Sequence, residues 1–240
     1  MQGLTAYNLK IVSEVLGGKA YPLELLHLLG ESPLVLDLGA NIGSFSLACH
    51  ALRKDVRLVA LEPDPANFIA LKANLAVTDA ILYQAALSDC DGEVVLFLGE
   101  QDAVANSIFS GKMVSAQRLV TVQALGMKDF LDRIVIQYGQ ISLLKCDTEG
   151  GEWNFLGLRD GFLASIPIIF IEYHSASFLA GFLPKMLQSH VLYSGLVRFP
   201  HRGELALIRT DLVSCEQSAY EIRPEKYESA ALIQGLRTKP

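Results

Sequence analysis

The sequence has no long hydrophobic run. Its longest apolar stretches, such as residues 166–171, span about six residues, whereas a membrane-spanning helix needs about twenty, so no transmembrane helix is expected. It also has no paired cysteines. Cys49, Cys90, Cys146 and Cys215 lie far apart, with no C-x-x-C pair and no Cys/His group at zinc spacing. That excludes a disulfide scaffold or a zinc finger and suits free thiols in a reducing cytosol. Positive charge is not in excess either: 20 Lys+Arg against 26 Asp+Glu give a net charge of −6. This is the wrong sign for a protein that tracks a phosphate backbone, and no nucleic-acid partner is expected. Lys10 and Lys19 near the start are not followed by an apolar segment with a small-residue cleavage site, so no secretory signal is expected and a cytoplasmic location is.

What is present is material for a core. With 51% of 240 residues hydrophobic, the chain can bury enough surface to offset its conformational entropy, and one domain of the larger kind is the default. Between Leu34 and Glu172, short β-rich apolar runs alternate with segments of helical period, the pattern of a parallel sheet covered by helices. Strands are expected at 34–38, 57–61, 81–85, 119–123, 141–146 and 167–173, with an inserted edge strand at 93–98. Helices are expected at 42–52, 65–77, 127–135, 153–158 and 176–188. Asp64 is a natural N-cap ahead of Pro65 at the first helical position. Residues 99–118 are polar and aperiodic, and 195–199 with 204–209 read as an antiparallel hairpin around Pro200-His201-Arg202-Gly203. The fold class is therefore doubly wound, Rossmann-like α/β with a C-terminal antiparallel β-hairpin.

In such sheets ligands lie beyond the carboxyl ends of the strands. The residues there are Asp37–Gly43, Glu62-Pro63, Ala85–Ser88, Asp147–Glu149 and Glu172–His174. The first group, Asp37-Leu38-Gly39-Ala40-Asn41-Ile42-Gly43, is a glycine-rich strand-to-helix turn in which Asn41 tolerates left-handed backbone. It is neither G-x-G-x-x-G nor a phosphate-binding loop ending in G-K-[ST]. Asp37 would repel a pyrophosphate but suits a sulfonium or ammonium ligand, which favours S-adenosylmethionine over NAD. Glu62, nineteen residues beyond Gly43, stands where an acid can accept both ribose hydroxyls of an adenosine.

Read in order, Asp37-Leu-Gly-Ala-Asn-Ile-Gly43, Glu62-Pro63, Ala86-Leu87-Ser88-Asp89 and above all Lys145-Cys-Asp147-Thr-Glu149-Gly150-Gly-Glu152 resemble the FkbM family of S-adenosylmethionine-dependent methyltransferases. The resemblance covers roughly residues 32–175, and its departures, at Cys146, Thr148 and Gly151, bear on packing more than on chemistry. It implies a seven-stranded sheet whose last strand is antiparallel, and methyl transfer to a hydroxyl of a small molecule or sugar. It also implies a methyltransferase domain over 32–210, flanked by an N-terminal helical, substrate-side segment (1–31) and a C-terminal tail (211–240). Carried over, Asp37, Gly39, Ala40, Asn41 and Gly43 would surround the methionine part of the cofactor, with Asp147 beside them. Glu62 and Pro63 would meet the ribose, Ala85 and Ala86 the adenine, and Ser107 next to Asn106 would close over the cofactor, unless it is a plain solvent-facing turn residue.

Asp147 and Glu149 are two acids converging at a strand end, which costs electrostatic energy unless they hold a cation, a substrate or a proton. Glu152 reads equally as a helix-start carboxylate. His174 on the same rim titrates near neutrality and is a candidate general base or substrate ligand. The catalytic candidates are thus His174, Glu149 and Asp147, with a divalent metal held by Asp147 and Glu149 as an option. A cofactor-binding module without catalysis is the competing class, and the intact acids speak against it. The acceptor and the oligomeric state are not readable from the sequence.

Overall fold

The computed structural model describes residue 15 and residues 21–98, 118–159, 161–199, 201–213 and 221–224. In chain order the elements are β1 (Leu34–Leu38), α1 (Ser44–Leu52), β2 (Arg57–Leu61), α2 (Pro65–Asn74), β3 (Ile81–Tyr83), β4 (Ala86–Ser88), β5 (Gly92–Leu98) and β6 (Arg118–Gly126). They continue with α3 (Met127–Tyr138), β7 (Ile141–Cys146), β8 (Ile168–Tyr173), α4 (Ala176–Met186), β9 (His190–Phe199), β10 (Arg202–Arg209) and β11 (Glu221–Pro224).

The main sheet runs β11-β9-β10-β8-β7-β1-β2-β3. Strands β3, β2, β1, β7 and β8 are mutually parallel, and β10 lies antiparallel between β8 and β9. The seven strands from β9 to β3 are the expected arrangement, with the expected hairpin supplying the antiparallel strand. Short β11, in the stretch read as a tail, adds parallel to β9 as an eighth strand. The order reverses between β1 and β7, the switch point where doubly wound sheets open a crevice.

The central strands are buried on both faces, as parallel strands covered by helices must be. Every residue of β1 is buried. Leu34, Leu36 and Leu38 face a core layer with Phe130, Phe178 and Phe182. Val35 faces the other layer with Phe45, Leu143 and Phe170. The strand period puts Asp37 on the Val35 side and its register partner Lys145 on the Leu143 side of β7, so acid and amine share one face of the sheet.

Three elements differ from expectation. The inserted edge strand belongs to a separate sheet, β4-β6-β5, because β5 pairs antiparallel along the length of β6 and buries Leu96, Leu98, Val122 and Ala86 between them. The helix expected at 153–158 is a 3₁₀ segment, Gly151–Gly157, whose start is drawn tight by the buried Glu152 carboxylate accepting the Gly150 N–H at 2.7 Å. Helix α2 stops at Asn74, where the chain turns and the Thr78 hydroxyl donates to the Leu75 carbonyl.

Gly39 is where β1 and β7 meet most closely. Its φ is +77°, and a Cβ there would lie 1.8 Å from the Asp147 carbonyl oxygen. Gly139 also has a positive φ, +89°, with ψ −168°, but has nothing within 4 Å of a Cβ. Gly139→Ala is expected to cost about 1–3 kcal/mol from backbone conformation alone. Gly39→Ala is expected to cost more than about 3 kcal/mol, because strain and collision add. Urea denaturation midpoints check the pair, and equal losses would contradict the close approach.

Candidate functional site

The glycine-rich turn after β1 is held at nearly every residue. The Gly39 and Ala40 N–H groups both donate to the Leu61 carbonyl at 2.9 Å, and the Gly39 carbonyl accepts from Lys145 Nζ at 2.6 Å. Asn41 is left-handed, φ +53°, and its Oδ1 accepts the Ile42 N–H at 2.8 Å. Gly43, φ +88°, caps α1, and Asn74 Nδ2 donates to the Ile42 carbonyl at 2.8 Å. Glu62 at the end of β2 clamps the same turn: Oε2 accepts the Asn41 N–H at 2.8 Å and Oε1 the Asp64 N–H at 2.9 Å. Burial pushes the Glu62 carboxyl up to about 7, although these two N–H donors pull the other way.

Asp37 is fully buried. It accepts the Ser46 hydroxyl at 2.7 Å and lies 3.1 Å from Lys145 Nζ. From the sequence, Asp37 could hold a sulfonium or ammonium ligand directly. With no exposed surface, it holds this chain's own ammonium instead and acts on the turn from beneath. Burial alone would lower the Lys145 pKa, but the Asp37 and Asp147 charges outweigh it and raise it, so the amine is charged.

The second half of the site is a knot of charges at the ends of β7, β8 and β10. Glu149 sits in left-handed backbone, φ +50°, a conformation that in a residue other than glycine persists where its surroundings over-determine it. Its Oε2 is 3.2 Å from His174 Nε2 and its Oε1 is 3.1 Å from Arg202 Nη2. Glu152, entirely buried, accepts both the His174 backbone N–H at 2.9 Å and its Nδ1 at 3.2 Å. Glu172 lies 3.5 Å from His174 Nε2 and accepts Arg202 Nε at 2.7 Å.

These partners decide the protonation states. Burial lowers the His174 pKa, but three surrounding glutamates reverse that and raise it to about 11. The imidazole is therefore an imidazolium at neutral pH. Its ring nitrogens face the carboxylates of Glu149, Glu152 and Glu172, an arrangement that suits a fixed positive charge more than the general base the sequence suggests. For Glu172, burial is outweighed by His174 and Arg202, and its carboxyl falls to about 2. Asp147 moves the other way: burial first, then the Glu172 charge, push it up to about 8.

Asp147, Glu149 and His174 each bring a ligating atom within 4.8 Å of the others. As a donor set for a divalent ion they fit poorly. His174 would have to give up a proton stabilised by three carboxylates, and Glu149 already shares Arg202.

Of the other residues read from the sequence, Ala40 is buried in the turn and Pro63 is half-buried beside Glu62. Ala85 and Ala86 are buried, Ala85 against the main core and Ala86 in the small sheet. Ser107 and Asn106 lie outside the described residues. Sequence reasoning missed Arg202, which the hairpin register brings beside Glu172, and it gave no role to Lys145.

The chain matches the methyltransferase FkbM domain over residues 37–192. It is 24% identical over 198 residues to 2-O-methyltransferase NoeI of Sinorhizobium fredii (strain NBRC 101917 / NGR234), covering 75% of this chain and 81% of that protein. It is 40% identical over 53 residues to methyltransferase sdnD of Sordaria araneosa, covering 22% of this chain and 20% of that protein. Among solved structures, methyltransferase FkbM from Methylobacillus flagellatus KT superposes on 85% of this chain with a TM-score of 0.51 at 17% identity. This chain spans 55% of that structure's length, and at such identity the likeness is one of fold. With the family's domain matched over residues 37–192 of a 240-residue sequence, this protein belongs to the FkbM methyltransferase family.

Proposed function

We propose that the protein is an S-adenosylmethionine-dependent O-methyltransferase that acts on a hydroxyl of a small molecule or sugar. The observation that carries this reading is the close approach of Gly39 to the Asp147 backbone, which sets the residue that bears a carboxylate at the end of β7 next to the cofactor-type turn at the end of β1. The 2-O-methyltransferase relative supports the choice of an oxygen acceptor.

The residues of the turn fit the cofactor. Gly39, Asn41 and Gly43 hold a left-handed run of backbone, and Glu62 is pinned through one N–H on each oxygen. A carboxylate oxygen has a second lone pair, so both remain able to accept ribose hydroxyls. S-adenosylmethionine supplies an electrophilic sulfonium methyl when bound. The chain's own contribution is to hold the acceptor oxygen in line and to remove its proton, because an alcohol is a weak nucleophile at neutral pH.

Asp147 is the proton acceptor in this reading. Burial first, then the charge of Glu172, disfavour its charged form, so it can exchange a proton where Glu172 stays ionised. His174 and Arg202, both cationic, instead serve as fixed positive charges that hold Glu149 and Glu172 in place and keep Glu172 ionised. They also fill the role a metal would have in the sequence reading, so the proposed reaction needs none.

Because Asp147 must be deprotonated to act, activity is expected to rise with pH through about 8 and then level while His174 stays charged, to about 11. Asp147→Asn is expected to lower turnover by about 10²–10⁴-fold and to flatten that rise, with S-adenosylhomocysteine affinity by calorimetry little changed. Glu149→Gln and His174→Ala should lower turnover as well. Full activity in all three variants would sink the assignment.

A separate measurement addresses the metal. Methyl transfer should proceed at the same rate after dialysis against EDTA, and a rate lost on chelation and restored by a divalent ion would reverse that part of the reading.

A further inference from the structure

Tyr21 lies ahead of the matched domain, residues 37–192, and packs in the core layer that also holds Val35, Leu143 and Phe170. This is the face of the sheet that carries Asp37 and Lys145. The Tyr21 ring stacks on Phe170, with centroids 5.5 Å apart and planes 25° apart, and meets Phe45 edge-on at 5.1 Å. Both contacts border the site. Phe45 is in the first turn of α1, whose cap is Gly43, and Phe170 is the register partner of Lys145. Glu172 follows Phe170 on the same face of β8 and pairs in register with Glu204 of β10. Tyr21 therefore joins the glycine turn to the charge cluster from one side of the sheet.

For packing alone the hydroxyl is superfluous, since a phenylalanine would meet Phe45 and Phe170 equally well. Tyr21 is only 7% exposed, and among the described residues its hydroxyl makes no hydrogen bond, a costly state for a polar group taken from water. Asp147 is in a similar condition: partly exposed at the end of β7, with no hydrogen bond to its carboxyl among the described residues. The two groups feel each other. Burial first, then the charges of Asp147, Glu204, Glu172 and Asp37, raise the Tyr21 pKa well above its ordinary value. The phenol is thus a protonated donor, close to a carboxyl that it does not reach. An alcohol oxygen completes the pair, because it can give its proton to the carboxylate and accept the phenol's hydrogen bond on a lone pair. A carbonyl or ether oxygen would satisfy Tyr21 and leave Asp147 without a partner.

We propose that Tyr21 holds the acceptor: its phenol donates a hydrogen bond to the hydroxyl oxygen whose proton passes to Asp147. The proposal rests on the methyltransferase reading of the site and deepens it, adding to the site a residue from ahead of the family's domain. With its proton directed at Asp147 and one lone pair at Tyr21, the acceptor oxygen has its second lone pair left for the methyl group, in a direction that the other two contacts fix. The phenol's hydrogen bond is made on binding and kept during reaction, so its loss falls on KM rather than on kcat.

Fluorine NMR on the full chain tests this, with the tyrosines replaced biosynthetically by 3-fluorotyrosine, S-adenosylhomocysteine present, and methanol as the probe because the smallest alcohol needs no matching shape. The Tyr21 resonance is the one of eight that is missing from Tyr21→Phe. Methanol should move that resonance saturably and the others little. In Asp147→Ala its half-saturating concentration should rise by about 5- to 10-fold. The urea midpoint of Tyr21→Phe should equal or exceed that of wild type, because the lost hydroxyl has no partner in the protein. A resonance that methanol leaves in place, or a lowered midpoint that marks the hydroxyl as a structural bond, would overturn the proposal. With an alcohol that the wild type methylates, Tyr21→Phe should raise the acceptor KM by about 5- to 10-fold and keep kcat within about twofold. An unchanged KM would remove Tyr21 from the site and leave the O-methyltransferase reading standing. A saturable methanol response without methyl transfer to any alcohol would do the reverse.

Discussion

The end of β1 can approach the end of β7 only because Gly39 has no side chain, and the site is organised around that approach. Lys145 locks it. The ammonium is nearly inaccessible, and its isolated burial would cost several kcal/mol. Here Asp37 answers its charge, and the Gly39 carbonyl accepts a hydrogen bond from it. The same side chain thus joins the floor of the turn to the strand that carries Asp147. Glu62 performs the matching task from β2 by taking the Asn41 and Asp64 N–H groups. The turn is clamped from both neighbouring strands, so it is set before any ligand arrives, which reduces the ordering that binding would otherwise require.

The charge knot follows a second logic. Glu149, Glu152 and Glu172 all lie within 3.5 Å of His174, a concentration of negative charge that would drive them to take up protons if nothing opposed it. The imidazolium and Arg202 oppose it. Their effect is uneven: Glu172 has both cations and becomes strongly acidic, whereas burial and that same Glu172 charge leave Asp147 weakly acidic. Environments that push two neighbouring carboxyls apart in this way divide their labour, one remaining a fixed charge and the other able to exchange a proton. The antiparallel strand β10 is what makes the division possible, because its register against β8 delivers Arg202.

The parts that were legible in the sequence share one property: their meaning lies within a short stretch of chain. The turn from Asp37 to Gly43, the Asp64-Pro65 cap and the apolar runs of the central strands each announce themselves through local backbone chemistry or periodicity. The small sheet does not, since β4 meets β6 across the intervening strand β5 and contributes only Ala86–Ser88. Arg202 was invisible for a related reason: in a hairpin turn an arginine reads as solvent chemistry, and only the register places it against Glu172. The charge of His174 was misjudged because an isolated histidine has an ordinary acidity, and nothing in Glu172-Tyr173-His174 tells that Glu149 and Glu152 fold back onto the ring.

The same contrast in range suggests how the two halves respond to change. The glycine-turn half uses backbone groups and buried side chains of β1, β2 and β7, in which Asp37, Gly39, Glu62 and Lys145 each hold another member in place. A substitution there alters core packing and buried charge together. The charge cluster ends at the β9–β10 turn, where Phe199 and His201 are exposed and lie beyond the buried run of β10. Surface positions of that kind change stability little when substituted, so the turn tolerates change provided a cation at the place of Arg202 continues to balance Glu149 and Glu172.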